Sequence, residues 1–177
     1  MKNINNVNKN FKIVIIFLLL NSCVLLVSCG FHLRGAIEVP DVLKNIYVAG
    51  DVGSNEIGTV LFRRMKQLGI ERIDIQEDST AILSITKNNF VRRVLTVDSG
   101  NKASAYKLDL VIGFQVYDNK GKVLLKNQEL RQTREYNIDP LNRLASGDQE
   151  IRLKLEMSEF IVNQMLTRLS FAFKESN

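Results

Sequence analysis

Between Tyr106 and Tyr117 apolar residues recur at every second position. Tyr106, Leu108, Leu110, Ile112, Phe114 and Val116 share one face of an extended strand, while Lys107, Asp109, Gly113, Gln115 and Tyr117 take the other. A period of two sustained over that length means a sheet with one buried face. Such a face needs a cover, and two stretches with helical spacing supply it. In the first, Ile57, Val60, Leu61, Met65 and Leu68 line one side of a helix that Ser54 or Asn55 would cap and Gly69 would stop. In the second, from about Asp148 to Phe171, an inward stripe runs through Leu155, Val162, Met165, Leu166 and Leu169, with Asp148 and Glu150 suited to the positive N-terminal end.

The other elements are strands. Asn45 to Ala49 puts Ile46 and Val48 on one face, and Gly50 to Ser54 reads as a turn. Ala81 to Thr86 continues directly into Asn89 to Val97, which mixes apolar residues with Arg92 and Arg93. Asp118-Asn119-Lys120-Gly121 reads as a hairpin loop, after which a strand runs from Lys122 towards Tyr136 and turns polar beyond Leu125. Asp139-Pro140 breaks the pattern. The expected order is β-α-β-β-β-α: an α+β two-layer sandwich, with a four-stranded, largely antiparallel sheet and both amphipathic helices on one face.

The first 28 residues follow a different logic. Lys2, Lys9 and Lys12 precede an apolar run from Ile13 to Leu20, which resumes after Asn21-Ser22 through Val27 and ends on Ser28 before Cys29. Cationic start, apolar middle and small residue are the order of a secretory signal peptide. The terminal cysteine makes Leu26-Val27-Ser28-Cys29-Gly30 a lipobox, so residues 1–28 are expected to be cleaved and Cys29 to carry a diacylglycerol and an N-acyl chain, typically palmitate. Two or more acyl chains give stable anchoring where one gives only marginal binding. Two alternatives stand beside this reading: an uncleaved anchor, for which Ile13 to Val27 is short and interrupted, and modification at Cys23. The expected organisation is a leader over 1–28, a lipidated tether over 29–44 and one α+β domain over 45–177.

Cleavage alters the charge balance. Removing the leader's three lysines leaves 21 basic and 19 acidic side chains, a net of +2. The basic character of the whole chain therefore says little about nucleic acid, and no nucleic-acid partner is expected. With Cys23 lost and Cys29 acylated, the mature fold has no internal disulfide to rely on.

Catalytic signatures are lacking. The single histidine, His32, has no acid or cysteine cluster at metal-ligand spacing, and the nucleophile elbow, Walker loop and dinucleotide glycine fingerprint do not occur. Neither an enzyme nor a cofactor beyond the acyl groups is expected. Basic residues offer more. Arg63, Arg64 and Lys66 read as a solvated helix face. Arg92, Arg93 and Lys102 admit two readings: a charged strand edge that discourages edge pairing, or donors to phosphate.

The junction Ser28-Cys29-Gly30-Phe31-His32-Leu33-Arg34-Gly35 resembles the start of the LptE lipoproteins of lipopolysaccharide assembly. The similarity continues through Val39-Pro40, Ala105-Tyr106, Asp139-Pro140 and Asp148-Gln149-Glu150. Membership would imply a lipoprotein on the periplasmic side of the outer membrane, held there by its lipid anchor. It would plug an LptD-type β-barrel, assist the barrel's assembly and help deliver lipopolysaccharide to the outer leaflet. Lipopolysaccharide and the barrel are then the expected partners. Gly30 after the cysteine, in place of Asp, fits outer-membrane sorting. Arg92, Arg93 and Lys102 near the Asp98–Lys102 loop, with Arg143 before the last helix, are the candidate lipopolysaccharide contacts. Lys126 to Tyr136 and the Val97–Ala103 loop are the candidate barrel contacts. The alternative from the residues alone is a lipid-anchored periplasmic lipid-binding module or another barrel-assembly accessory.

Overall fold

The alternation of Tyr106 to Val116 is realised as the central strand of the sheet's antiparallel part. The structure, a computed structural model, describes residues 39–52, 56–139 and 143–174, with the backbone alone for 143–145. The leader, Cys29, the FHLRG junction, the capping candidates Ser54 and Asn55, and Pro140 lie outside the described residues. The elements are β1 (Asn45–Gly50), α1 (Glu56–Gln67), β2 (Glu71–Arg72), β3 (Ala81–Val97), β4 (Ala103–Tyr117), β5 (Val123–Asn137) and α2 (Arg143–Lys174). The sheet order is β2-β1-β3-β4-β5. Strand β1 runs parallel to β2 and β3, and β3, β4 and β5 form an antiparallel meander.

The sheet therefore has five strands, not the expected four. The addition, β2, is two charged, exposed residues, which carry no hydrophobic pattern. It is held through the backbone, with Glu71 N donating to Lys44 O at 2.7 Å and Ile73 N to Ile46 O at 2.9 Å. The core also reaches back before residue 45. Asp41–Leu43 form a 3₁₀ turn, and Leu43 is buried in the common core.

One cluster joins the helix-side face of the sheet to both helices: Leu83, Leu108, Leu110, Ile112 and Phe114 meet Leu61 and Met65 of α1 and Ile161, Met165 and Leu169 of α2. The expected stripe of α2 holds for Val162, Met165, Leu166 and Leu169, but Leu155 is exposed. Helix α2 also starts five residues earlier than expected, at Arg143. Ser146 and Gly147, poor helix formers, masked that first turn.

Strand β3 holds an irregularity with a functional consequence. Ile85 pairs with Phe114 and Lys87 with Gly113, so Thr86 is an extra residue, a β-bulge. Before the bulge Leu83 and Ile85 belong to the core. After it the parity switches, and Phe90, Arg92 and Val94 pair with Leu110, Leu108 and Tyr106 on the helix side. Gly113 makes the space: a Cβ there would stand 2.7 Å from Thr86 Oγ1 and 3.0 Å from Lys87 Cβ.

Candidate functional site

Neighbouring strand residues point to opposite faces, and the parity switch sets Arg92 toward the helices and Arg93 away from them. Arg93 pairs with Lys107 on the face away from the helices. Arg92 lies under the first turns of α2, where Nη1 donates to Glu150 Oε2 at 2.8 Å. Its guanidinium also sits 4.6 Å from the ring centroid of Tyr106, a cation–π arrangement. Tyr106 of β4 and Tyr136 of β5 are register partners with ring centroids 5.7 Å apart. The Tyr136 hydroxyl donates to the same Glu150 oxygen that Arg92 contacts. Two strands thus converge on one carboxylate of α2, and Tyr106 of the strand between them braces both donors.

These residues, with Lys102, Ala103, Ile138, Ser146 and Gly147, line an open cleft of about 540 Å³, and Ile138 is held beside the β3–β4 hairpin by its N–H, which donates to Ser104 O at 2.9 Å. The hairpin loop is ordered by Asp98, whose Oδ1 accepts from Gly100 N at 2.8 Å and Lys102 N at 2.9 Å. Asn101 takes the left-handed conformation there, at φ 56°. Ser146 Oγ accepts from Asp139 N at 3.2 Å, tying the entry of α2 to the end of β5.

The electrostatics are set by mutual compensation. Burial disfavours charge on Glu150, but hydrogen bonds from Tyr136 and Arg92 outweigh it and hold its carboxyl below the ordinary value. Burial, followed by the bond to Glu150, pushes the Tyr136 phenol up to about 12. The bond to Glu150 raises Arg92 further, so the guanidinium keeps its charge. At neutral pH the cleft holds Arg92 as a cation, Glu150 as an anion and Tyr136 as a neutral donor, and Lys102 lines it as well.

Of the four sequence candidates, the structure brings Arg92 and Lys102 to one cleft and turns Arg93 away. Arg143 is the first residue of α2, with its side chain outside the described residues. In the sequence Glu150 reads only as a favourable charge near a helix start. Since α2 begins at Arg143, Glu150 lies two turns inside, and its role is to face Arg92 across 58 positions of sequence. No local pattern signals that pairing.

The helix cations also have specific partners. Arg63 Nη2 meets Glu159 Oε1 at 2.7 Å, and Arg64 Nε donates to Asn163 Oδ1 at 2.8 Å, so they cross-link α1 to α2 instead of forming a merely solvated face. Among the described residues no cluster of three or more His, Cys, Asp or Glu could hold a metal ion. No helix among them is long and apolar enough to cross a membrane.

A family model for LptE, described as lipopolysaccharide-assembly, matches residues 43–169 and spans every residue of the cleft. This chain belongs to the LptE family. Two relatives called LPS-assembly lipoprotein LptE align with it. That of Photorhabdus laumondii is 28% identical over 159 residues, covering 88% of this chain and 85% of its own. That of Pectobacterium atrosepticum is 24% identical over 151 residues, covering 80% and 77%. Among solved structures, an uncharacterized lipoprotein B from Nitrosomonas europaea superposes with a TM-score of 0.68 at 26% identity, over 82% of this chain and 93% of the other. The rare lipoprotein B of Shewanella oneidensis, at 20% identity, shares the fold with a TM-score of 0.60 over 75% and 97%. The LptE sandwich is thus the frame on which the Arg92–Glu150–Tyr136 cleft is built.

Proposed function

We propose that this chain is a non-enzymatic outer-membrane lipoprotein, anchored through acylated Cys29 on the periplasmic side. It plugs an LptD-type β-barrel, assists the barrel's assembly and helps deliver lipopolysaccharide to the outer leaflet. The observation that carries this reading is the LptE family match over 43–169, which takes in all five strands, α1 and most of α2. Three features support it. The face of the sheet away from the helices presents Lys87, Arg93, Lys107, Glu129 and Arg131, a polar surface suited to a polar barrel lumen. The hairpin from Val97 to Lys102 is exposed, as are Lys126, Asn127, Glu129, Arg131 and Glu135 along β5, and these offer contacts to a barrel wall. Arg92 and Lys102, two strong donors to phosphate, line the same cleft as the hydroxyls of Tyr106, Tyr136 and Ser146. Arg92 and Lys102 are therefore the contacts we assign to the phosphates of lipopolysaccharide.

An affinity pull-down of the tagged full-length chain from detergent-solubilised envelopes tests the reading. Recovery of a large outer-membrane β-barrel at about one-to-one stoichiometry is expected, as for a closed assembly of two different chains. Recovery of the lipoprotein by itself, or with inner-membrane proteins, would overturn it.

A further inference from the structure

The cleft already holds an anion. The Glu150 carboxylate sits on the Arg92 guanidinium, the donor that an incoming phosphate would use, and the Tyr136 hydroxyl holds the carboxylate there. The same Arg92 stacks on Tyr106, which holds it in place. Glu150 engages Nη1 on the side of the guanidinium that faces the Tyr136 hydroxyl, so a phosphate that docks on that side of Arg92 must displace the carboxylate, and binding there is an exchange of anions. We infer that Glu150 is an internal competitor that makes the cleft selective for phosphate over carboxylate. The inference rests on the reading of the cleft as a lipopolysaccharide contact and deepens it.

The physical reason lies in the exchange. A carboxylate ligand brings one charge and two oxygens, the same as the group it must displace, and gains nothing over Glu150. A phosphomonoester brings between one and two charges and three acceptor oxygens, enough to engage Arg92 and Lys102 together. Displaced Glu150 is not stranded, because the cleft is open and the carboxylate can turn to solvent. Lys154, one turn further along α2, is drawn to Glu56 at 3.2 Å and leaves that side of Glu150 with a cation close by. Selectivity thus comes from what the wrong ligand fails to improve on.

The test measures lipopolysaccharide binding to the full-length chain in detergent, with inorganic phosphate or acetate added as competitor. Glu150→Gln keeps the size and hydrogen-bonding capacity of the side chain and removes its charge. It is expected to tighten lipopolysaccharide binding about tenfold, the size of one charge-assisted hydrogen bond that no longer has to be broken. Acetate, a poor competitor against the parent chain, should compete with the variant. Tyr136→Phe, which removes only one donor to the carboxylate, should tighten binding by roughly threefold and guards against a folding defect in the first variant. Arg92→Ala and Lys102→Ala should each weaken binding.

If Arg92→Ala and Lys102→Ala weaken binding while Glu150→Gln and Tyr136→Phe leave it unchanged or weaker, Glu150 merely positions Arg92. The inference then falls and the cleft stands. If Arg92→Ala and Lys102→Ala bind as tightly as the parent at equal salt, the cleft is not the contact and both fall together.

Discussion

The two ends of β3 show how one strand can serve two purposes. Near its start Leu83 is 0% exposed and Ile85 is buried, both inside the cluster shared with α1 and α2. Near its end Val94, Leu95 and Val97 are 54%, 45% and 55% exposed, and order comes from the Arg92–Glu150–Tyr136 network and the Asp98 loop. The first end is held by burial, which is strong and non-directional. The second is held by directed polar contacts, each worth less but able to present donors to a ligand. The bulge at Thr86 is the boundary between them.

Breaking each end separately is the direct way to probe that contrast. The largest effect is expected at the buried end: Leu83→Ala should cost about 3 kcal/mol in denaturant unfolding, whereas Leu95→Ala should stay within about 0.5 kcal/mol. Comparable losses would mean that the hairpin end is packed like the core. At the boundary, Gly113→Val forces a side chain against Thr86 and Lys87 and should cost about 2 kcal/mol. The same change should speed hydrogen exchange in β3 beyond the bulge; unaltered exchange there would show that the bulge tolerates filling.

The polar end should be sensitive to pH in a defined direction. Glu150 has a lowered native pKa, so its contribution is present above the ordinary carboxylate value of 4.5 and is lost as pH falls through its native one. Glu150→Gln should cost about 1–2 kcal/mol at neutral pH, with the gap in melting temperature to the parent closing in acid. A gap that persists at low pH would mean that charge is not what holds this end. Tyr136 works from the other side: its support is complete below the ordinary phenol value of 10.0 and disappears as pH rises towards about 12. The smallest effect is a gain. Gly147 lies inside α2, and a Cβ added there would meet nothing within 4 Å, so Gly147→Ala should add about 0.5–1 kcal/mol. A loss instead would reveal a need for backbone freedom at the mouth of the cleft.

Much of the buried end is legible in the sequence. The alternation through β4 and the spacing of Ile57, Val60, Leu61 and Met65 state directly which face is apolar, because side-chain direction follows backbone period. The hairpin loop at Asp118 is legible for a similar reason. Its side chain bonds backbone N–H groups two and four residues on, and Asp98 does the same in the loop before β4. The site is only half legible. Arg92 and Lys102 stand out as cations in a strand and its loop, but Glu150 and Tyr136 look like an ordinary helix acid and an ordinary strand aromatic.

What the sequence determined by itself was the α+β sandwich: the apolar periods of strands and helices are local quantities, and burying them together leaves few arrangements. Only the tertiary structure decided the fifth strand, the inter-helix arginines and the composition of the cleft. Strand β2 exists through backbone pairing, which leaves no mark on side-chain pattern. The cleft depends on one extra residue at Thr86 that turns Arg92 inward and Arg93 outward, and on a helix that brings Glu150 from 58 residues away. Parity after a bulge and contact between distant elements are settled by packing, and no window of residues short enough to read as a pattern contains either.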